Sequence, residues 1–212
     1  MKDVAPEKAL LFGGSFDPPH EGHMNLLRSA LQAVRPDSVI VIPSAAPPHK
    51  RAGNTPWPLR AAMCECFRPL FEHLVVSDIE ERRGGKSYTF DTVQALRAER
   101  CESVFYLCVG GDMLRSFTTW YRWQELLALV VLVALARTPG EEEELRQAAC
   151  VLAQAGGQVV FATAGVVPVS STAIRAAVRA GIPNALAQVP PPADAIVRAE
   201  GLYRAGLESG AV

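Results

Sequence analysis

Residues 8–34 read KALLFGGSFDPPHEGHMNLLRSALQAV, and the pattern of this stretch decides the fold. Lys8 to Phe12 is a short apolar run ending at Gly13-Gly14, which predicts a buried strand. From Glu21 to Val34, residues Leu26, Leu27, Ala30, Leu31 and Val34 recur with helical period, which predicts a helix over 21–34. The loop between them carries two glycines, where a ligand can approach the backbone. It then feeds a helix N-terminus, whose N–H groups and dipole favour phosphate. His20 and His23 are three residues apart, so on the first helical turn both rings are expected to face the same way and to offer two donors to phosphoryl oxygens.

The rest of the chain repeats the unit. Strands are expected at Ser38–Ile42, Leu74–Val76, Val104–Val109, Leu129–Leu135 and Gln158–Phe161. Helices are expected from about Pro56 to Pro69, at Thr89–Glu99, as a pair containing Trp120 and Trp123, at Glu141–Gln154, at Ser171–Ala180 and at Asp194–Ala199. Continuous apolar runs such as Val104–Val109 suit strands covered on both faces. The alternation predicts an α/β protein with a doubly wound parallel sheet. Its ligands are expected beyond the carboxyl ends of the strands, where the strand order reverses.

Composition narrows the class. In 212 residues, 49% hydrophobic and 20% charged side chains exclude disorder and coiled coil. With 21 Lys+Arg against 22 Asp+Glu, the formal charge of −1 leaves no global field for nucleic acid and no polybasic face for a membrane. An anionic ligand therefore requires a local cluster. The N-terminal residues 1–6 lack the apolar core of a signal peptide, and the longest apolar run, Leu126–Ala136, is too short to span a bilayer. Five cysteines without a CxxC pair are expected to be reduced, buried thiols of a cytoplasmic protein. Two nucleotide signatures fail: Gly13-Gly14-Ser15-Phe16 is not GxGxxG, and Gly84-Gly85-Lys86-Ser87 lacks the first glycine and strand of a P-loop. Three of the four histidines, His20, His23 and His49, fall in loops after strands and are candidate ligands. His73, Trp57 and Trp123 are expected in the core, and the acidic run Glu141–Glu144 on a solvated face.

Gly-Gly-Ser-Phe-Asp-Pro-Pro-His-Glu-Gly-His at 13–23 resembles the HxGH signature of the nucleotidyltransferase superfamily, in the form seen in bacterial nicotinate-nucleotide adenylyltransferases. Pro47-Pro48-His49-Lys50 resembles that family's PPHK element, and Ser87-Tyr88-Thr89-Phe90-Asp91-Thr92 its SYT-x-DT element. Gly110-Gly111-Asp112 with Trp120 resembles its G-x-D…W segment, and Arg137-Thr138-Pro139-Gly140 its RPG turn with an extra Thr. Val169-Ser170-Ser171-Thr172-Ala173-Ile174-Arg175 resembles ISSTxIR, and Leu202-Tyr203 the common ending. Ser15 stands where the family more usually has Thr, and Pro19 where a branched apolar residue is common; neither change removes a donor.

The resemblance implies a Rossmann-like nucleotidyltransferase fold with a small C-terminal helical extension: one domain over 1–212, its helical part from about 170. It implies adenylyl transfer from ATP to nicotinate mononucleotide, giving nicotinate adenine dinucleotide and pyrophosphate, with Mg²⁺ carried on the triphosphate and no protein metal site. His20, His23 and Arg175 would be catalytic. Gly14, Ser15, Phe16, Gly110, Asp112, Ser171 and Thr172 would join them around ATP, with Asp112 near the adenosine. His49, Lys50, Thr89, Trp120 and Arg137 would hold the mononucleotide, Trp120 by stacking on the pyridine. Ser170, Ser171 and Thr172 stand before a helix as capping hydroxyls, and Arg175 one turn in is a bidentate donor suited to phosphate. The nucleophile is an already ionised phosphate oxygen, so no general base is needed. Nicotinamide mononucleotide or phosphopantetheine as acceptor, and a non-catalytic nucleotide-binding module, are the rival readings. A homo-oligomer is left open.

Overall fold

A computed structural model describes residues 5–46, 55–136, 142–163, 165 and 167–205. Six parallel strands form one sheet: β1 (Lys8–Gly14), β2 (Ser38–Pro43), β3 (Leu74–Val76), β4 (Val104–Gly110), β5 (Val130–Ala136) and β6 (Gln158–Thr163). Their order across the sheet is β3-β2-β1-β4-β5-β6, the doubly wound arrangement. Alternation along the central strands supplies two cores. Ala9, Leu11, Ile40 and Ile42 point to one face, while Leu10, Phe12, Val39 and Val41 point to the other.

Helix α1 (Glu21–Val34) covers the second face with Met24, Leu27, Ala30 and Val34 buried. Arg35 in the left-handed region (φ 49°) and the following Pro36 end it. The first face is covered by α3 (Ile79–Arg83), α4 (Thr89–Glu99), α5 (Gly111–Arg115), α6 (Trp123–Leu127) and α7 (Glu142–Gln154). A third cluster packs α8 (Ser171–Arg179) and α9 (Pro191–Ala199) on Met63 of α2 (Trp57–Cys64). Among the described residues no helix is long and apolar enough to cross a membrane.

Several expectations need correction. The helix expected to run to Pro69 is α-helical only to Cys64 and continues as a 3₁₀ turn, Glu65–Leu70. Pro69 has no N–H, and its ring would clash with the carbonyl of Glu65 in an α-helix. Trp120 lies outside any helix: it is extended (φ −75°, ψ 151°) after the 3₁₀ turn Phe117–Thr119, and Arg122 (φ 52°) breaks the chain again before α6. The short α3 was not expected. Cys64, Cys66 and Cys108 are buried, whereas Cys101 and Cys150 are exposed; all five are free thiols. His73 is a surface residue with its ring at the edge of Phe71. Trp57 is half-buried and donates from Nε1 to the Pro43 carbonyl at 2.9 Å, and Trp123 packs against the first core.

At the amino ends of the strands, Glu7 ties three of them together. Its carboxylate accepts from Ser38 Oγ at 2.6 Å and Ser103 Oγ at 2.8 Å, with Arg100 Nη1 at 3.3 Å. The Ser38 and Ser103 bonds, with Arg100 adding its charge, hold the carboxyl below its ordinary pKa of 4.5. That stabilisation is complete above the unfolded-state pKa and is lost as pH falls through the folded one. The group is partly exposed, so Glu7→Gln is expected to cost no more than about 1 kcal/mol at pH 7. Urea unfolding at pH 7 and at acid pH tests this: the gap from wild type should close on acidification, and a constant gap would contradict it.

Candidate active site

The sheet opens where its order reverses. Pairing of β1 with β4 runs from Lys8↔Val104 to Leu11↔Leu107, while β1 continues to Gly14 and β4 to Gly110. On its other side β1 stays paired with β2 up to Gly14↔Pro43. The carboxyl ends of β1 and β4 therefore diverge, and the residues leaving β1 turn into that crevice.

Those residues carry the histidine pair, in a geometry different from the one expected. His20 is the N-cap of α1 in extended conformation rather than part of its first turn, and His23 is three residues on. The backbone N–H of His23 donates to His20 Nδ1 at 3.3 Å, and the backbone N–H of His20 donates to His23 Nδ1 at 3.3 Å. This is a capping box built from two imidazoles in place of Ser and Glu. The rings stack with centroids 3.7 Å apart at 23°. An Nδ1 that accepts a bond carries no proton, so each neutral ring bears its hydrogen on Nε2. His20 is 5% exposed and His23 half-buried. Gly22 makes the stacking feasible: a Cβ there would sit 3.0 Å from His20 Cε1 and Nδ1 and 3.1 Å from Val169 Cγ1.

Phe16 supports the pair from below. Its ring is 1% exposed, packs on Phe12 and Phe67 at 5.5 and 5.3 Å, and meets His23 edge-on at 5.1 Å. Buried in this way, Phe16 offers a ligand only its backbone, which sits in the left-handed region at φ 49°.

The chain's far end closes on the same loop. Ser170 caps α8 by accepting from the Ala173 N–H at 3.1 Å. Ser171 Oγ donates to the Pro18 carbonyl at 2.9 Å, and Arg175 Nη1 donates to the Asp17 carbonyl at 2.7 Å while Nη2 reaches Thr172 Oγ1 at 3.3 Å. Gly14, Ser15, Phe16, His20, His23, Ser171, Thr172 and Arg175 thus form one assembly, although 148 residues separate His23 from Ser171 in the chain.

The remaining expected residues fall on other elements or outside the described chain. Gly110 ends β4 and Asp112 follows on α5, its carboxylate largely in solvent and paired with Arg115, which also reaches Glu144 at 3.4 Å. Thr89 opens α4 just after Ser87, which binds Ala46 twice: Ser87 N–H to the Ala46 carbonyl at 2.9 Å, and Ala46 N–H to Ser87 Oγ at 3.0 Å. The SYT segment is thereby fastened to the loop leaving β2. Trp120 is half-buried, with Phe117 at 5.0 Å on one side. His49, Lys50 and Arg137 lie outside the described residues.

Three participants escaped the sequence reading. Asp17, 3% exposed, accepts from Tyr203 Oη at 2.7 Å, and Arg60, 5% exposed, donates to the Ser15 carbonyl at 2.9 Å. A charged residue at 60, one helical turn before Met63 and Cys64 on the same buried face, was a readable signal for Arg60. Nothing in the local pattern pointed to the Asp17–Tyr203 contact.

A donor set of imidazole, guanidinium, hydroxyl and helix N–H, gathered at the switch point of a doubly wound sheet, suits a polyphosphate. A model of the cytidylyltransferase-like family matches residues 11–177. A probable nicotinate-nucleotide adenylyltransferase of Gemmatimonas aurantiaca is 36% identical over 203 residues, spanning 92% of this chain and 91% of the relative. One from Neisseria meningitidis serogroup A is 34% identical over 200 residues, 93% and 98% of the two chains. Among solved structures, the Plasmodium falciparum nicotinic acid mononucleotide adenylyltransferase complexed with NaAD superposes with a TM-score of 0.76 at 16% identity, over 93% of this chain and 97% of that one. The same protein complexed with APC gives 0.74 at 15%, with the same coverage. The chain belongs to the cytidylyltransferase-like family and, within it, to the nicotinate-nucleotide adenylyltransferases, which are nucleotidyltransferase enzymes.

The site makes a packing prediction. A Cβ on Gly14 would lie 2.9, 2.9 and 3.2 Å from three atoms of the Phe16 ring. That ring is enclosed, so Gly14→Ala should destabilise the protein by about 1–3 kcal/mol, the usual cost of overpacking. Urea unfolding measures it; a loss below about 0.5 kcal/mol, within the range of a neutral surface change, would show that the ring moves aside.

Proposed function

We propose that this chain transfers the adenylyl group of ATP to nicotinate mononucleotide in the cytoplasm, releasing pyrophosphate and forming nicotinate adenine dinucleotide for NAD biosynthesis. Membership of the family supports the reaction, and the reciprocally capped His20–His23 pair beside Arg175 is the observation that carries it to these residues. The mononucleotide phosphate oxygen attacks the α-phosphorus of ATP, the bond to the bridging oxygen breaks, and pyrophosphate leaves with that electron pair. The nucleophile is already ionised, so the protein's work is positioning and charge compensation. With the ring hydrogens on Nε2, His20 and His23 are donors toward phosphoryl oxygens as charge shifts onto the leaving group. Arg175 spends Nη1 on Asp17 and Nη2 on Thr172, which fixes the plane in which its other N–H groups meet the β- and γ-phosphates.

Gly14, Ser15 and Phe16 supply backbone to the triphosphate, Ser171 and Thr172 the start of α8, and Gly110 and Asp112 the adenosine side. His49 and Lys50 take the mononucleotide phosphate; Thr89, Trp120 and Arg137 take its pyridine, Trp120 by stacking. The donors around the loop match phosphate oxygens rather than a hard cation, which prefers carboxylate and water oxygens. Mg²⁺ is accordingly assigned to the substrate, as Mg·ATP.

Pyrophosphate release from Mg·ATP with nicotinate and nicotinamide mononucleotides in parallel tests the acceptor. Strong preference for the acid is expected, and release with neither would overturn the assignment. His23→Ala should lower kcat by about 10²–10³, the scale for losing one preorganised donor; a folded variant with near-normal kcat would remove the ring from the mechanism. Trp120→Ala should raise the KM for the mononucleotide and leave that for ATP nearly unchanged. Equal effects on both would displace Trp120 from the pyridine pocket.

A further inference from the structure

The loop from Ser15 to Glu21 is held from several sides, and two of its holders have no part in the substrate contacts assigned above. Arg60 on α2 donates from Nη1 to the Ser15 carbonyl at 2.9 Å and from Nε to the Thr55 carbonyl at 3.2 Å. Among the described residues it forms no ion pair with a carboxylate. A guanidinium buried against carbonyl oxygens alone costs several kcal/mol relative to water. Its position beneath the loop where phosphates gather is where such a charge acts on the reaction.

Tyr203, beyond α9, holds the loop two residues further on. Its phenol donates to Asp17 Oδ1 at 2.7 Å. Burial and the neighbouring Asp17 carboxylate push the phenol pKa well up, so it stays a donor throughout the working range. Thr55, itself buried, gives its carbonyl to Arg60 Nε. The loop assigned to the triphosphate is therefore held by two side chains from distant parts of the chain, one on α2 and one beyond α9.

We propose that Arg60 and Tyr203 are positioning residues that fix the Ser15–Glu21 loop from two sides and so set the geometry in which the triphosphate meets its attacking phosphate. This rests on the adenylyl-transfer reading of the site. A brace of this kind acts on the geometry of reaction more than on either binding step. Misplacement of reacting groups by about 1 Å can cost up to about 10² in rate.

Tyr203→Phe removes one hydroxyl and keeps the ring, and Arg60→Lys keeps the charge while surrendering one of two bonds. Both are tested by amide hydrogen exchange over residues 15–21 and by steady-state kinetics, beside wild type. In Tyr203→Phe, exchange in the loop should quicken at least about tenfold, the equivalent of one lost hydrogen bond of about 1.4 kcal/mol. Its kcat should fall about tenfold with each KM within about threefold, as for an interaction felt at the transition state. Arg60→Lys should lose less kcat than Arg60→Met, and the double variant Tyr203→Phe/Arg60→Lys should lose less than the product of the two, because both act through one loop. Unchanged exchange over 15–21, or kcat within twofold of wild type in Tyr203→Phe, overturns the brace. Should Arg60→Met fail to fold, Arg60→Lys decides: normal kcat there overturns the role for Arg60, and a lowered kcat at unchanged KM supports it. Wild type that releases no pyrophosphate would instead count against the reaction, with the exchange data still deciding the brace.

Discussion

Two imidazoles cap one helix by accepting each other's backbone N–H, and the rest of the site is arranged around that exchange. In an ordinary capping box the two side chains are spent on the helix end. Here each ring gives Nδ1 to the cap, and the bond that orients it also dictates where its proton sits. One local motif thus gives the His20 N–H a partner and adds to the bond that the His23 N–H makes with the His20 carbonyl at 2.8 Å. It also stacks the rings at 3.7 Å and selects a tautomer. Gly22 is demanded by the same geometry, since a side chain there would press on His20, and the enclosed Phe16 ring holds His23 from beneath.

The loop leading to this pair is almost wholly buried, and its backbone is answered by distant parts of the chain. Ser15 is met from α2, Asp17 and Pro18 from α8, and the N–H of Glu21 by the carbonyl of Gln188 at 2.8 Å. Buried carbonyls left without donors would cost about 1–3 kcal/mol each. The same bonds that stabilise the fold therefore fix the loop proposed to meet the phosphates. This suits a reaction whose nucleophile arrives ionised: rigidity and aimed donors serve it better than a base.

The strands and the first helix were legible because burial on both faces writes continuous apolar runs, and α1 shows its helical period plainly. The histidines were legible as a pair three residues apart, and Ser170-Ser171-Thr172 as a cap. What sequence placed wrongly was local backbone: the 3₁₀ ending of α2 forced by Pro69, and the extended Trp120 set off by Arg122 in a left-handed conformation. His20 was expected inside the helix because spacing does not distinguish an N-cap from a first turn. The contacts of Arg60, Asp17 and Tyr203 were out of reach for a different reason. They span 45 and 186 residues, and no periodicity records a hydrogen bond of that range.

The reciprocal cap is tested most directly by ¹⁵N NMR of the histidine rings in the unliganded protein at neutral to mildly alkaline pH. Both His20 and His23 should show the tautomer protonated at Nε2, with Nδ1 shifts typical of an unprotonated, hydrogen-bonded nitrogen. A proton on Nδ1 of either ring would contradict the cap and, with it, the assignment of these two nitrogens as the donors that meet the phosphates.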